Sequence, residues 1–351
     1  MGWTTGDLRD DLEVLKNMYK STNDSKTKEK LVSAIHGVMK TIAEIEIEDG
    51  KPYSMYDFWL LMEQMPRFEM YLPEIKHFHN VFNSQEHRLP DDAFLNIPKS
   101  SLTNKDVDNL LRGFYSTMPN KYNRTFLMHY NQKDRYLNYA KGIEGTEGIT
   151  YMIPVLNKEY ISIGADGDKR EQLVTLTHEY GHQIAHKLRD GRYCSDDFYV
   201  EIESIFFQLL GEDYYAKETN DPLFKTKLQY HPQYYVNNSK EVLSYKRVID
   251  KTFANMTSAD DAYELCDKYL AKEGFDPEEV QIEADDIMKY TYSYLVAVEL
   301  FEIYQDDKEL AFNLLEKIVK RGKRTSEYDS IHDNVTPVKS LKKHIRRVFE
   351  D

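Results

Sequence analysis

Residues 173–188, LVTLTHEYGHQIAHKL, constrain this chain more than any other stretch. Leu173, Leu176, Tyr180, Ile184 and Leu188 recur at spacings of three and four, which makes the stretch an amphipathic helix with one packed face. His178 and His182 stand four apart on it. At 3.6 residues per turn their imidazoles project side by side, one turn apart, so both can reach a single zinc ion. Glu179 completes the H-E-x-x-H pattern and leans toward the open position of such a metal. From there a carboxylate takes a proton from a bound water and later hands it to a leaving amine. Zinc lowers the pKa of that water toward ~7, so hydrolysis can run at neutral pH. Gly181 inside the helix costs up to ~1 kcal/mol against alanine, which points to close approach by another backbone or a ligand.

A catalytic zinc needs a third protein ligand. The metzincin pattern would place glycine at 185 and histidine at 188; the chain has Ala185 and Leu188, which excludes that class. His186 continues the four-residue spacing, but a third imidazole on one straight helix cannot curl back to the same ion, so it reads as a surface or supporting residue. The apolar run VEIESIFFQ offers Glu201 and Glu203, 19 and 21 residues past His182. A carboxylate in such a run is costly to bury unless paired or metal-bound. The two lie about 200° apart on a helix, so only one can face the metal. With Ile202, Ile205, Phe206 and Leu209 as the packed stripe, Glu201 lies beside it with Ser204 and Gln208, and spacing leans toward Glu201.

These motifs resemble a known family. TLTHEYGH is similar to the T-L-x-H-E-x-G-H core of the thimet oligopeptidase and oligoendopeptidase F family of zinc peptidases. EIES, residues 201–204, matches that family's E-x-x-S, whose glutamate is the third ligand; the resemblance therefore implies Glu201 rather than Glu203. YTYSYLVAVELF, residues 290–301, resembles the family's tyrosine-rich helix, where phenols contact the substrate carbonyl and its oxyanion. Tyr294, followed by Leu295, is the best-placed match, with Tyr290 behind it. TPVKSLKKHI resembles the closing helix, so the resemblance covers roughly residue 110 onward. The chain departs from the family at three points. Ala185 stands where a histidine is usual, EADDIMKY lacks the histidine often found upstream of the tyrosines, and the chain is shorter, which implies a reduced N-terminal helical region.

A physical case for the tyrosines stands beside the resemblance. Attack on an amide builds negative charge on the carbonyl oxygen, and a buried phenol can donate to it. With 27 tyrosines in the chain, any single one is more often a packing residue.

The rest of the chain sets the context. GITYMIPV and EYISIGAD are short, β-branched and aromatic, and read as two strands joined around Asn157-Lys158. If the second lies at the edge of the small sheet, its free backbone groups can hold an extended peptide; otherwise it is scaffolding. Asp168 with Glu171 three residues on signals the start of the histidine helix. A second apolar helix is expected over 198–210, ending near Gly211. Other helical patterns lie at 7–19, 27–45, 56–79, 104–117, 240–255, 258–272, 277–304, 308–321 and 337–349.

A net charge of -14 argues against a nucleic-acid footprint. No apolar run is long enough to span a membrane. The two cysteines, Cys194 and Cys266, form no disulfide framework and no C-x-x-C motif, and with no leader-like N-terminus they suit a cytoplasmic setting. His77 and His79 lack further ligands at a usual spacing, and phosphate-binding glycine loops are absent.

The reading is a mainly α, helical zincin-like metallopeptidase, with a small β-sheet next to the active-site helix and a body that can divide into two helical lobes around a cleft. Residues 1–125 form a reduced N-terminal helical region and residues 126–351 the catalytic region of one continuous body. His178, His182 and Glu201 bind one Zn2+ per chain, Glu179 is the base, and Tyr294 and Tyr290 serve the oxyanion. The resemblance implies short peptides as substrates, cut as an endopeptidase. The alternatives are a helical metallo-carboxypeptidase and a metal-stabilised binding protein without turnover.

Overall fold

The computed structural model describes residues 5–22, single positions between 27 and 80, 89–90, 93–95, 97–153, 158–189, 200–255, 259–274, 283–321 and 337–350. The helices expected over 27–45 and 56–79, the pair His77 and His79, and Cys194 lie outside them or nearly so. The described residues are mainly helical, with one three-stranded sheet. In chain order the elements are α1 (Thr5–Ser21), α2 (Asn104–Ser116), α3 (Asn120–Tyr130), the single turn α4 (Lys133–Tyr136), β1 (Leu137–Glu144), β2 (Gly148–Ile153), β3 (Lys158–Asp166), α5 (Lys169–Leu188), α6 (Ile202–Thr219), α7 (Pro222–Asn255), α8 (Ala259–Glu273), α9 (Glu283–Asp306), α10 (Lys308–Arg321) and α11 (Pro337–Glu350).

The chain divides into two compact units. One comprises Met1–Lys76 and Asn237–Met288, the other His77–Val236 and Lys289–Asp351. In the first, Glu273 on α8 receives Arg247 and Lys251 from α7, and Leu12, Val248, Ile249 and Leu270 are buried. The second holds the sheet and the histidine helix.

Helix α5 begins where its sequence signal lies. The Asp168 carboxylate accepts from the Arg170 backbone N–H at 2.8 Å and caps the helix. The Arg170 guanidinium, almost fully buried, donates to Asp168, to the Pro98 carbonyl and twice to Asp221 in the α6–α7 connection. This forked group fastens the start of α5 to two distant segments. The other side of α5 meets an aromatic cluster from α2 and α3. Tyr115 stacks on Phe126 at 4.1 Å and Tyr180 meets Phe126 edge-on at 5.0 Å, while the Tyr115 hydroxyl donates to the Thr177 carbonyl. Each such ring pair adds ~1 kcal/mol beyond its area burial.

The sheet has the order β1-β3-β2. β2 runs antiparallel to β3, with Ile153 opposite Lys158, so the expected hairpin is present. The condition under which EYISIGAD would offer a free edge is not met. β1 pairs in parallel on its other side, Leu137 opposite Ile161 and Ala140 opposite Gly164, which makes β3 central and β2 an edge. β1 gives no strand signal in the sequence because its side chains are largely exposed and carry no clean alternation. In β3 the two-residue period is plain: Ile161 and Ile163 are buried.

Helix α6 does not stop at Gly211; it continues to Thr219 and ends at Asn220, whose φ of 52° is left-handed. Gly211 is instead a place where α6 presses on α5. A Cβ there would meet Thr177 Cγ2 at 2.8 Å. Gly181 on α5 is the counterpart, since a Cβ there would lie 2.7 Å from Ser204 Cα. The neighbour is backbone and cannot swing aside. Gly181→Ala is therefore expected to force the helices apart and to cost ~1–3 kcal/mol, read as a lower midpoint in chemical denaturation.

Candidate metal centre

The close seat of α6 on α5 decides which glutamate reaches the histidines. Glu201 sits at the N-cap of α6, one residue before the first helical turn. Its Oε2 lies 3.3 Å from His178 Nε2 and 3.3 Å from His182 Nε2. One ligand atom from each of the three residues falls within 4.8 Å of the others. The Ser204 hydroxyl donates to the same Oε2 at 3.1 Å and steadies the carboxylate. Two imidazoles and a carboxylate at this spacing suit the donor chemistry of zinc.

The electrostatics favour positive charge between these groups. Burial opposes a charged His182, but the Glu201 carboxylate, aided by Glu179 and Glu203, outweighs it and raises the imidazole to about 9. Burial would raise Glu201, yet His182 and His178 hold it well below the usual carboxylate range.

Glu203, the other candidate, lies elsewhere. It is buried and accepts from Arg189 at 2.9 Å, with His182 Nδ1 4.0 Å away, beyond hydrogen-bond length. His186 is buried and stands outside the cluster of three.

Glu179 is 4% exposed, and a cavity of about 230 Å³ opens beside it. Its walls include Gly148, His178, Glu179, Gln208, Lys227 and Tyr290. The Thr150 hydroxyl on β2 donates to Glu179 Oε2 at 2.7 Å. That contact had no signal in the sequence, because it joins a strand to a helix 29 residues away. Gln208 was visible only as a polar residue on the Glu201 stripe; its Oε1 lies 3.0 Å from His178 Nδ1.

The tyrosines separate. Tyr290 lines the cavity. Tyr294 is fully buried one turn further along α9, stacked on Tyr235 at 4.1 Å, and burial pushes its hydroxyl well above the usual tyrosine range. It is not among the residues that line the cavity.

The fold has known counterparts. A structure designated oligoendopeptidase F matches with a TM-score of 0.55 at 12% identity, covering 99% of this chain and 74% of that one. Oligoendopeptidase F from Bacillus anthracis str. Ames matches with a TM-score of 0.50 at 14% identity, over 92% of this chain and 62% of that one. PZ peptidase A, solved with an inhibitor, matches with a TM-score of 0.56 at 11% identity, over 99% and 72%. The motif resemblance is thus joined by a shared fold. No protein-family model matches the sequence, and no curated protein is similar to it in sequence. Among the described residues no helix is long and apolar enough to cross a membrane.

The geometry predicts different losses for the two glutamates. Glu201→Gln should weaken zinc binding by at least 100-fold in chelator competition. Glu203→Gln should retain zinc but lower stability by about 3 kcal/mol, because it leaves the Arg189 guanidinium poorly paired.

Proposed function

We propose that this chain is a zinc-dependent peptidase that cuts short peptides internally. The observation that carries the reading is the placement of Glu179. It stands on the helix turn of two ligand-spaced histidines, held by Thr150, on the wall of the cavity. A metal that served structure alone would have no use for a base there. The shared fold with oligoendopeptidase F structures supports the same reading.

His178, His182 and Glu201 would hold the ion. When bound, zinc supplies Lewis acidity, sharpening a water and polarising a carbonyl. The chain's own groups do the rest. Glu179 takes the proton from the attacking water and returns it to the leaving amine. Thr150 keeps that carboxylate aimed. Tyr290 is the phenol on the cavity wall and donates to the carbonyl oxygen as negative charge grows there. Tyr294 packs one turn behind and supports the helix that presents Tyr290. β2, paired on one side with β3, offers its other edge to an extended substrate, with Gly148 at the cavity.

One observation favours the rival exopeptidase reading. Lys227 also lines the cavity and is a cation that suits a terminal carboxylate. Glu171 already engages it in an ion pair, so the endopeptidase reading is preferred. End-blocked peptides distinguish the two, since an endopeptidase cuts them and a carboxypeptidase does not.

The main test is hydrolysis of a quenched fluorescent peptide library. Wild type should cleave and a chelator should stop it. Glu179→Gln should keep its zinc and lose roughly 10²–10⁴-fold in kcat. Thr150→Val, which frees the base without removing it, should lose about 10-fold in kcat/KM. Full zinc occupancy in wild type with no cleavage across a broad library would count against the peptidase.

A further inference from the structure

Behind His178, on the side away from Glu201, polar groups continue into the interior of α6 and α7. His178 Nδ1 faces Gln208 Oε1 at 3.0 Å. Gln208 Nε2 donates to Glu212 Oε1 at 3.1 Å. Glu212 Oε2 meets His231 Nε2 at 2.7 Å. Glu212 is fully buried, and neither it, Gln208 nor His231 has a part in the chemistry above.

We propose that Glu212, acting through Gln208, is a positioning residue that fixes the tautomer of His178 and so presents a bare Nε2 to the metal. The inference rests on reading His178, His182 and Glu201 as a metal centre. The logic follows from what each group can do. An amide has a donor end and an acceptor end, and nothing in Gln208 itself says which should face the imidazole. A carboxylate settles it. Glu212 Oε1 accepts, so the amide NH2 turns toward it and the amide oxygen is left facing His178. An amide oxygen can only accept, so His178 Nδ1 carries the proton. The lone pair of the neutral ring then sits on Nε2, the atom 3.3 Å from Glu201 Oε2. Were the amide reversed, its NH2 would donate to Nδ1 and a proton would remain on Nε2, where the ion must bind. His231 holds the second oxygen of Glu212 and keeps the carboxylate in place. Partners behind a ligating histidine of this kind are worth 10–100-fold in metal affinity.

The inference is tested by exchanging the carboxylate and the amide. Glu212→Gln leaves two amides in line, either of which can turn, so the direction of the line is no longer set. Zinc affinity should fall 10–100-fold. In metal-free protein at alkaline pH, where the Glu201 carboxylate competes for a proton on Nε2, the 15N shifts of His178 should show the Nδ1–H share falling. The double variant Gln208→Glu with Glu212→Gln restores the polarity. The carboxylate introduced at position 208 would accept from His178 Nδ1–H. The amide introduced at position 212 would donate to that carboxylate, and its oxygen would accept from His231. Both the Nδ1–H share and the affinity should return.

A purely structural role for Glu212 would leave the tautomer unmoved. Wild-type tautomer and affinity in Glu212→Gln would overturn the inference, as would a double variant with a wild-type unfolding midpoint that stays as weak as the single one. If Glu212→Gln fails to fold, the double variant alone decides, on the same readouts. If the Nδ1–H share falls in Glu212→Gln, yet wild type binds no zinc, the positioning role stands and the metal reading falls.

Discussion

Everything at the candidate site depends on how closely α6 approaches α5. Gly181 faces the Ser204 backbone and Gly211 faces Thr177, so at both points one helix offers no side chain. That approach brings the N-cap of α6 against the histidine turn, and Glu201 is the residue at that N-cap. A wider spacing, such as two alanines would impose, would take Glu201 out of reach of the two histidines. The glycines cost intrinsic helix stability, and the packing of the buried face offsets it.

Close packing also buries carboxylates, and the structure gives each one a different partner. Glu201 has two imidazoles and a serine hydroxyl, Glu203 has Arg189, and Glu212 has His231 and Gln208. A buried carboxylate is tolerated only when such groups replace the water it has lost. The pairing therefore explains why three acidic residues can be buried along one helix. It also explains why they are not interchangeable: only Glu201 stands between His178 and His182.

Much of this was legible without coordinates, and the reason is locality. The start of α5 at Asp168, the hairpin β2–β3, and helices α2, α8, α10 and α11 follow from signals within a few residues of one another. The spacing of His178 and His182 belongs to the same class, since one helical turn fixes it. The misreadings came where the determinant was distant. Gly211 looked like a helix stop because glycine often is one, yet it answers to Thr177 on another helix. β3 could pass for an edge because its neighbour β1, exposed along most of its length, carried little hydrophobic signature. The resemblance ranks Tyr294 ahead of Tyr290; in the fold Tyr294 is buried against Tyr235, while Tyr290 lines the cavity.

The sequence by itself determined the histidine helix, the one-turn spacing of His178 and His182 and the glutamate between them, because α-helical geometry converts residue number directly into direction. It also held the glycines that allow close packing, though not what they would touch. Only the tertiary structure decided that the close neighbour of Gly181 is backbone, that Thr150 grips Glu179, and that Gln208 and Glu212 lie in line behind His178. Those contacts join separate elements, and their direction is set by how helices and strands meet in space, which no local period encodes.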